Sequence, residues 1–347
     1  MQPWTTNRVC CRPIHINVLK MSLLRILGKL KMIHVSLNEI IAKIEGKPDV
    51  PRSNKMSASD IATFFATSTR AENDATNKLR ERVLKNICQP PAEWLADATY
   101  GTQWRTVHAE WLKAIATIAK DTAVPVYTSI QTVQKGGRGA HYDVEVHYMN
   151  GATCVATRNV EFKNGGLNIS KLPQFLSLQA KFKMFPVTYD AFWFENYLDA
   201  YLACDPGITE AKPETYLKLV PGTTYSVHPF FQQLKERESI NQTQKNAVVN
   251  QSIAAYLKRY GSTVDLALFA EKVRDTQTDK VYLLWHKGTF HMDSMRPAEM
   301  KDITYSSIKN GNVLELNAGG TAYHLLLRWR NHKGIMNPAW QISMKRS

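Results

Sequence analysis

The stretch His141–Lys163, HYDVEVHYMNGATCVATRNVEFK, constrains the fold more than any other part of the chain. It reads as two β-strands joined at Asn150-Gly151, a pair strongly associated with tight hairpin turns. Side chains alternate between the two faces of a strand. Val144, Val146 and Tyr148 therefore share one face of the first strand, opposite Asp143, Glu145 and His147. On the second strand Val160 and Phe162 lie opposite Asn159, Glu161 and Lys163. One core can accept both apolar sets only when even-numbered residues pair with even-numbered ones. A two-residue Asn150-Gly151 turn fails that condition, because it sets Asp143 opposite Arg158. One more loop residue, or a bulge with Gly151 in a left-handed conformation, sets Asp143 opposite Asn159. Asp143, Glu161 and Lys163 then converge on one side of a strand pair whose other side is apolar.

The pattern Asp143…Glu161-Phe162-Lys163 resembles the PD-(D/E)XK superfamily, the restriction-endonuclease-like phosphodiesterases. Tyr142 stands where the name-giving proline of that pattern would be. The resemblance implies an α/β fold with a mixed sheet flanked by helices, over roughly residues 57–205. It also implies Mg²⁺ (or Mn²⁺) held by Asp143 and Glu161, with the carbonyl of Phe162 as a further ligand. Lys163 would assist the attacking water. The chemistry needs these types: hard divalent cations prefer carboxylate oxygens, and an ammonium can orient water or neutralise an oxyanion. Glu145, on the same face, could replace or supplement Asp143. In many such families a Gln or basic residue follows; Gln174 or Gln179 looks like that position, with Lys181 and Lys183 available for phosphate. A helix is expected over KLPQFLSLQAKFKMF, where Leu172, Phe175, Leu176 and Gln179 have helical spacing. A further metal-binding acid often comes from a helix before the sheet. Glu72 corresponds by order along the chain, and Glu81 is an equal rival.

The charge balance favours a polyanionic partner, since the net charge is +14 and the pI near 9.5. It is unevenly placed: residues 1–55 hold ten Lys or Arg against three acids, half of that excess. This segment reads as a basic arm or a leader, or as sequence upstream of a later start at Met56. A basic glycine-rich loop with Lys135 and Arg138 precedes the hairpin and could touch a phosphate backbone. No acid follows Glu315, and Arg328, Arg330 and Lys333 accumulate beside Trp329 and Trp340. Basic residues interleaved with aromatics suit nucleic acid; a closing β-meander with its tryptophans in the core accounts for them equally well. No run of eighteen apolar residues exists to span a membrane. Five scattered cysteines form no CxxC pair and suit an intracellular setting, with nuclear and organellar placement left open.

Four segments follow: a basic arm at 1–55, a nuclease core at 56–205, a helical connection at 206–275 and a β-rich basic region at 276–347. Within them, Trp104–Ile118 and Leu266–Arg274 are expected as helices. Val124–Val133, Val281–Trp285, Thr289–Met292, Val313–Leu316 and Ala322–Trp329 are expected as strands. The functional expectation is Mg²⁺-dependent hydrolysis of nucleic acid, with DNA and a homodimer suggested by family habit alone. The alternative is a nucleic-acid-binding protein without catalysis, using the basic arm and the C-terminal hairpins.

Overall fold

A computed structural model describes residues 56–66, 73–135, 141–219, 228–332 and 335–347, without side chains at 73–75, 330–332 and 335–337. It is a mixed α/β fold with two five-stranded sheets, one mixed and one antiparallel, flanked by helices and ending in a β-rich region. The basic arm at 1–55, Glu72, Arg138, Lys333 and the side chain of Arg330 lie outside the described residues.

The mixed sheet runs in the order β1 (Ser129–Gln134), β2 (Val144–Asn150), β3 (Thr153–Asn164), β5 (Lys280–His286), β6 (Thr289–Asp293). All neighbours are antiparallel except β3 and β5, which pair in parallel. A parallel partner requires a crossover, and here more than a hundred residues of chain supply it. Strand β5 carries the apolar run Val281–Trp285 because it is central and buried on both faces. Helices α1 (Asn73–Ile87) and α2 (Gly101–Asp121) lie on the face bearing Val144, Val146, Tyr148, Val160 and Phe162, all buried. The hydroxyl of Tyr148 donates to the carbonyl of Ile115 on α2 at 3.0 Å. Trp104, Val107, Trp111, Ile115 and Ile118 fill the facing stripe of α2, as their spacing predicts.

The hairpin turns one residue later than its sequence suggests. Asn150 pairs with Thr153, leaving Gly151 (φ +61°) and Ala152 as the turn. That register alone would put the two apolar sets on opposite faces. A bulge between Tyr148 and Met149 shifts it by one residue, so that Val144 pairs with Val160 and Glu145 with Asn159. Asp143 accordingly comes across from Glu161 rather than from Asn159. The faces are those expected; the offset is not.

The second sheet runs β4 (Leu176–Gln179), β10 (Ile335–Arg346), β9 (Thr321–His332), β8 (Val313–Ala318), β7 (Thr304–Lys309). The helix expected over residues 171–185 does not form. A 3₁₀ turn at Ile169–Lys171 leads instead into β4, whose Leu178 is buried between exposed Ser177 and Gln179. The reason is tertiary: β10 offers an edge, and Ser177 and Leu178 pair with Gln341 and Trp340 on it. Pairing to that edge satisfies the same backbone groups a helix would. Helices α3 (Tyr189–Asn196), α4 (Leu198–Ala203), α5 (Pro229–Glu236), α6 (Gln242–Tyr260) and α7 (Leu266–Gln277) complete this half. Its core takes Tyr189, Phe192, Trp193, Tyr201 and Trp340, so the aromatic stretch and that tryptophan are packing residues.

The expected segments 56–205 and 276–347 interleave. Strands β5 and β6 join the sheet of the earlier segment, and β4 joins the sheet of the later one. Residues Ser57–Ser347 form one compact unit. Trp285 shows the interdependence: its indole N–H donates to the carbonyl of Phe64 at 2.7 Å, and its ring meets those of Phe64 and Phe290 at 5.4 and 4.7 Å. Trp285→Ala is expected to cost about 3–5 kcal/mol, the usual loss for a buried tryptophan, read as a lower midpoint in urea denaturation.

Candidate active site

Asp143 sits just before β2 and is tied to β3 twice. Its backbone N–H donates to the carbonyl of Val160 at 3.0 Å, and its Oδ2 accepts the backbone N–H of Phe162 at 2.8 Å. The carboxylate is thus held in the ladder beside Glu161. Period-two alternation places Glu161 and Lys163 on the same side, and Lys163 Nζ meets Glu161 Oε1 at 2.5 Å. From the adjoining strand, Asn159 pairs with Lys280 and Glu161 with Tyr282. Lys280 Nζ lies 3.3 Å from Glu161 Oε2 and also donates to the carbonyl of His141. Each oxygen of Glu161 therefore has an ammonium against it.

These groups line one polar pocket of about 250 Å³. Glu161, Lys163 and Lys280 come from the mixed sheet, and Tyr142 and Asp143 from the chain just before β2. Gln174 to Ser177 enter from the start of β4, and Thr276 and Gln277 from the end of α7. Gln174 reaches the site as expected, but from an extended segment and not from a helix. Its volume falls below the usual range for small organic ligands, about 300–1,000 Å³.

Burial, and then the charge of Glu161, push the Asp143 carboxyl up to about 7; Lys163 opposes the shift and Glu81 adds to it. Burial pulls the Lys163 ammonium down, but Glu161 and Asp143 outweigh it, so the net direction is upward. Glu81 on α1 acts on both groups. It is thus electrostatically coupled to the site, whereas Glu72 lies outside the described residues. Burial lowers Lys280, with Glu161 opposing, and raises the Tyr282 phenol.

Glu145 belongs to a neighbouring cluster. Its carboxylate accepts from Tyr142 Oη at 2.7 Å and lies 3.1 Å from His147 and 3.3 Å from Lys135. These contacts, led by that from Tyr142, hold its pKa below the ordinary value. Lys135 is exposed and its backbone N–H donates to the carbonyl of Asp143 at 2.8 Å, which puts it at the margin of the site. Lys181 is exposed beyond β4, and Arg328 is half-buried on β9, paired with Ala339. Neither lines the pocket.

Sequence reasoning missed Lys280. Its signal is a lysine opening an apolar strand, KVYLLWH, where the first residue is as buried as those that follow. Among the described residues no three His, Cys, Asp or Glu side chains cluster with metal-ligand geometry. No protein-family model and no curated protein matches the chain.

A carboxyl whose folded pKa is raised adds most stability below its unfolded value and loses it as pH rises through the folded one. Asp143→Asn, which keeps the acceptor for Phe162, should therefore melt a few degrees above the unmodified protein at pH 8 in chelator. That gap is expected to close towards pH 4. Thermal melts at the two pH values decide it, and an Asn variant that melts lower at pH 8 contradicts the charge assignment.

Proposed function

We propose that this chain is a Mg²⁺-dependent nuclease that hydrolyses phosphodiester bonds of nucleic acid, with DNA as the favoured substrate. What carries the reading is one arrangement: Asp143, Glu161 and Lys163 share a small polar pocket at the ends of two adjacent strands. It agrees with the site implied by the resemblance to PD-(D/E)XK enzymes, and the mixed sheet agrees with the fold so implied. The donor set fits a hard cation: two carboxylates, Asp143 and Glu161, line the same small polar pocket. Asp143 and Glu161 would hold the ion, with the Phe162 carbonyl as a further ligand. A divalent ion there supplies hydroxide at neutral pH and offsets phosphate charge.

The remaining roles belong to the chain. Lys163 orients the attacking water and faces the charge that develops on the phosphate oxygens. Gln174, entering from the β4 side, orients the phosphate. Glu81 adds negative charge from α1 and takes the place of the helix acid expected at Glu72 or Glu81. Lys135, at the margin of the pocket, suits contact with the phosphate backbone.

One observation favours a different reading. With an ammonium against each oxygen of Glu161, the cluster is also a satisfied ion-pair network, as a non-catalytic nucleic-acid-binding protein would have. Incubation of circular and linear DNA with the protein in Mg²⁺, Mn²⁺ or EDTA separates the two. Cleavage should require the metal and fall at least about 10²-fold in Lys163→Ala and in Asp143→Asn. Salt-sensitive DNA binding without cleavage, unchanged in both variants, would replace the nuclease with the binding protein.

A further inference from the structure

The two lysines of the pocket are not equivalent. Lys163 has its contact to Glu161 Oε1, and its side chain is 30% exposed. Lys280 is 3% exposed and bridges two acceptors, the carbonyl of His141 ahead of β2 and Glu161 Oε2 on β3. It enters from the first residue of β5, so its position is set by the parallel pairing of that strand with β3. Lys163 can leave Glu161 by rotating towards the open side of the pocket. Lys280 can leave only by giving up both bonds inside the protein.

A phosphodiester-cleaving site with two metals places them about 3.5–4 Å apart, flanking shared oxygens. In this pocket one flank of Glu161 is held by a fixed ammonium and the other by a displaceable one. Even with both carboxyls ionised, Asp143 and Glu161 only balance the two lysines that line the pocket with them. One divalent cation then leaves an excess of two positive charges; a second would leave four inside a pocket of about 250 Å³.

Resting on the nuclease reading, we infer that this site takes one divalent cation, and that Lys280 is a positioning residue whose ammonium stands on Glu161 where a second cation would bind. Asp143 and the Glu161 oxygen now paired with Lys163 would hold the ion, leaving Lys163 free for water and phosphate. Lys280 stays in place and keeps Glu161 turned towards the metal.

Mn²⁺ serves as the probe, with the full chain. Calorimetry and electron paramagnetic resonance should give one Mn²⁺ per chain and an uncoupled six-line spectrum. Lys280→Met should still bind one Mn²⁺, at least as tightly, because a repelling cation is gone. An ordinary supporting residue behaves otherwise, since its loss weakens metal binding about 10–100-fold. The same variant should cleave DNA about 10²-fold more slowly at saturating Mn²⁺ with its KM for DNA unchanged, and Lys280→Arg should recover much of the rate.

Two Mn²⁺ per unmodified chain, or a spin-coupled pair, overturns the inference whatever Lys280→Met does. So does Lys280→Met that cleaves at the original rate or binds Mn²⁺ ten-fold more weakly. These outcomes leave the nuclease standing. An unmodified protein that binds no Mn²⁺ and cuts no DNA removes the nuclease reading and this inference together.

Discussion

The bulge between Tyr148 and Met149 is the constraint on which the site depends. Strand side chains alternate strictly, so a one-residue slip of β2 on β3 would turn Glu161 and Lys163 to the helix-covered face. Val160 and Phe162 would then meet the polar pocket. The turn at Gly151-Ala152 by itself dictates the wrong parity, and the bulge corrects it before the strands reach Val144 and Val160. Burial of Val144, Val146, Tyr148, Val160 and Phe162 against α1 and α2 locks that choice. Packing on one face of the sheet therefore holds the chemistry on the other.

The same logic extends to β5. Its parallel pairing with β3 brings Lys280 and Tyr282 beside Glu161, and its preceding helix α7 brings Gln277. Tyr282 and Leu284 belong to the core of the second half, while Trp285 packs with Phe64 and Phe290 in the first. The pocket thus lies where the two cores share a strand. Residues that look remote in the sequence, from Gln174 to Lys280, become its walls because the crossover between β3 and β5 folds over the open face of the mixed sheet.

How much of this was legible in the sequence follows from the range of the interactions. The hairpin faces could be read because period-two alternation is local, and Asp143, Glu161 and Lys163 came with them. Strands β5, β6, β8 and β9 and helix α7 could be read from runs of β-branched and aromatic residues or from helical spacing. Gly288, Gly319 and Gly320 take the positive φ angles that glycine permits at tight turns. The segment 171–185 could not be read, because Leu172, Phe175 and Leu176 fit a helix until the edge of β10 is known. Val124–Val133 has the composition of a strand throughout, yet pairing begins only at Ser129, where the antiparallel partner Met149 stands opposite. Strands β7 and β10 passed unrecognised. Lys280 could not be placed in the site, because nothing local says that its strand lies beside Glu161. Of the basic residues with the composition of nucleic-acid contacts, Lys135 adjoins the pocket, whereas Lys181 and Arg328 lie away from it.

The central claim is that Asp143 and Glu161 form a divalent-cation site served by Lys163. A crystal of the full chain soaked in Mn²⁺, with anomalous data at the manganese edge, tests it most directly. An anomalous peak is expected between the carboxylates of Asp143 and Glu161, with Lys163 Nζ withdrawn from Glu161 Oε1. A crystal with Mn²⁺ elsewhere or absent, and Lys163 still seated on Glu161, would contradict it.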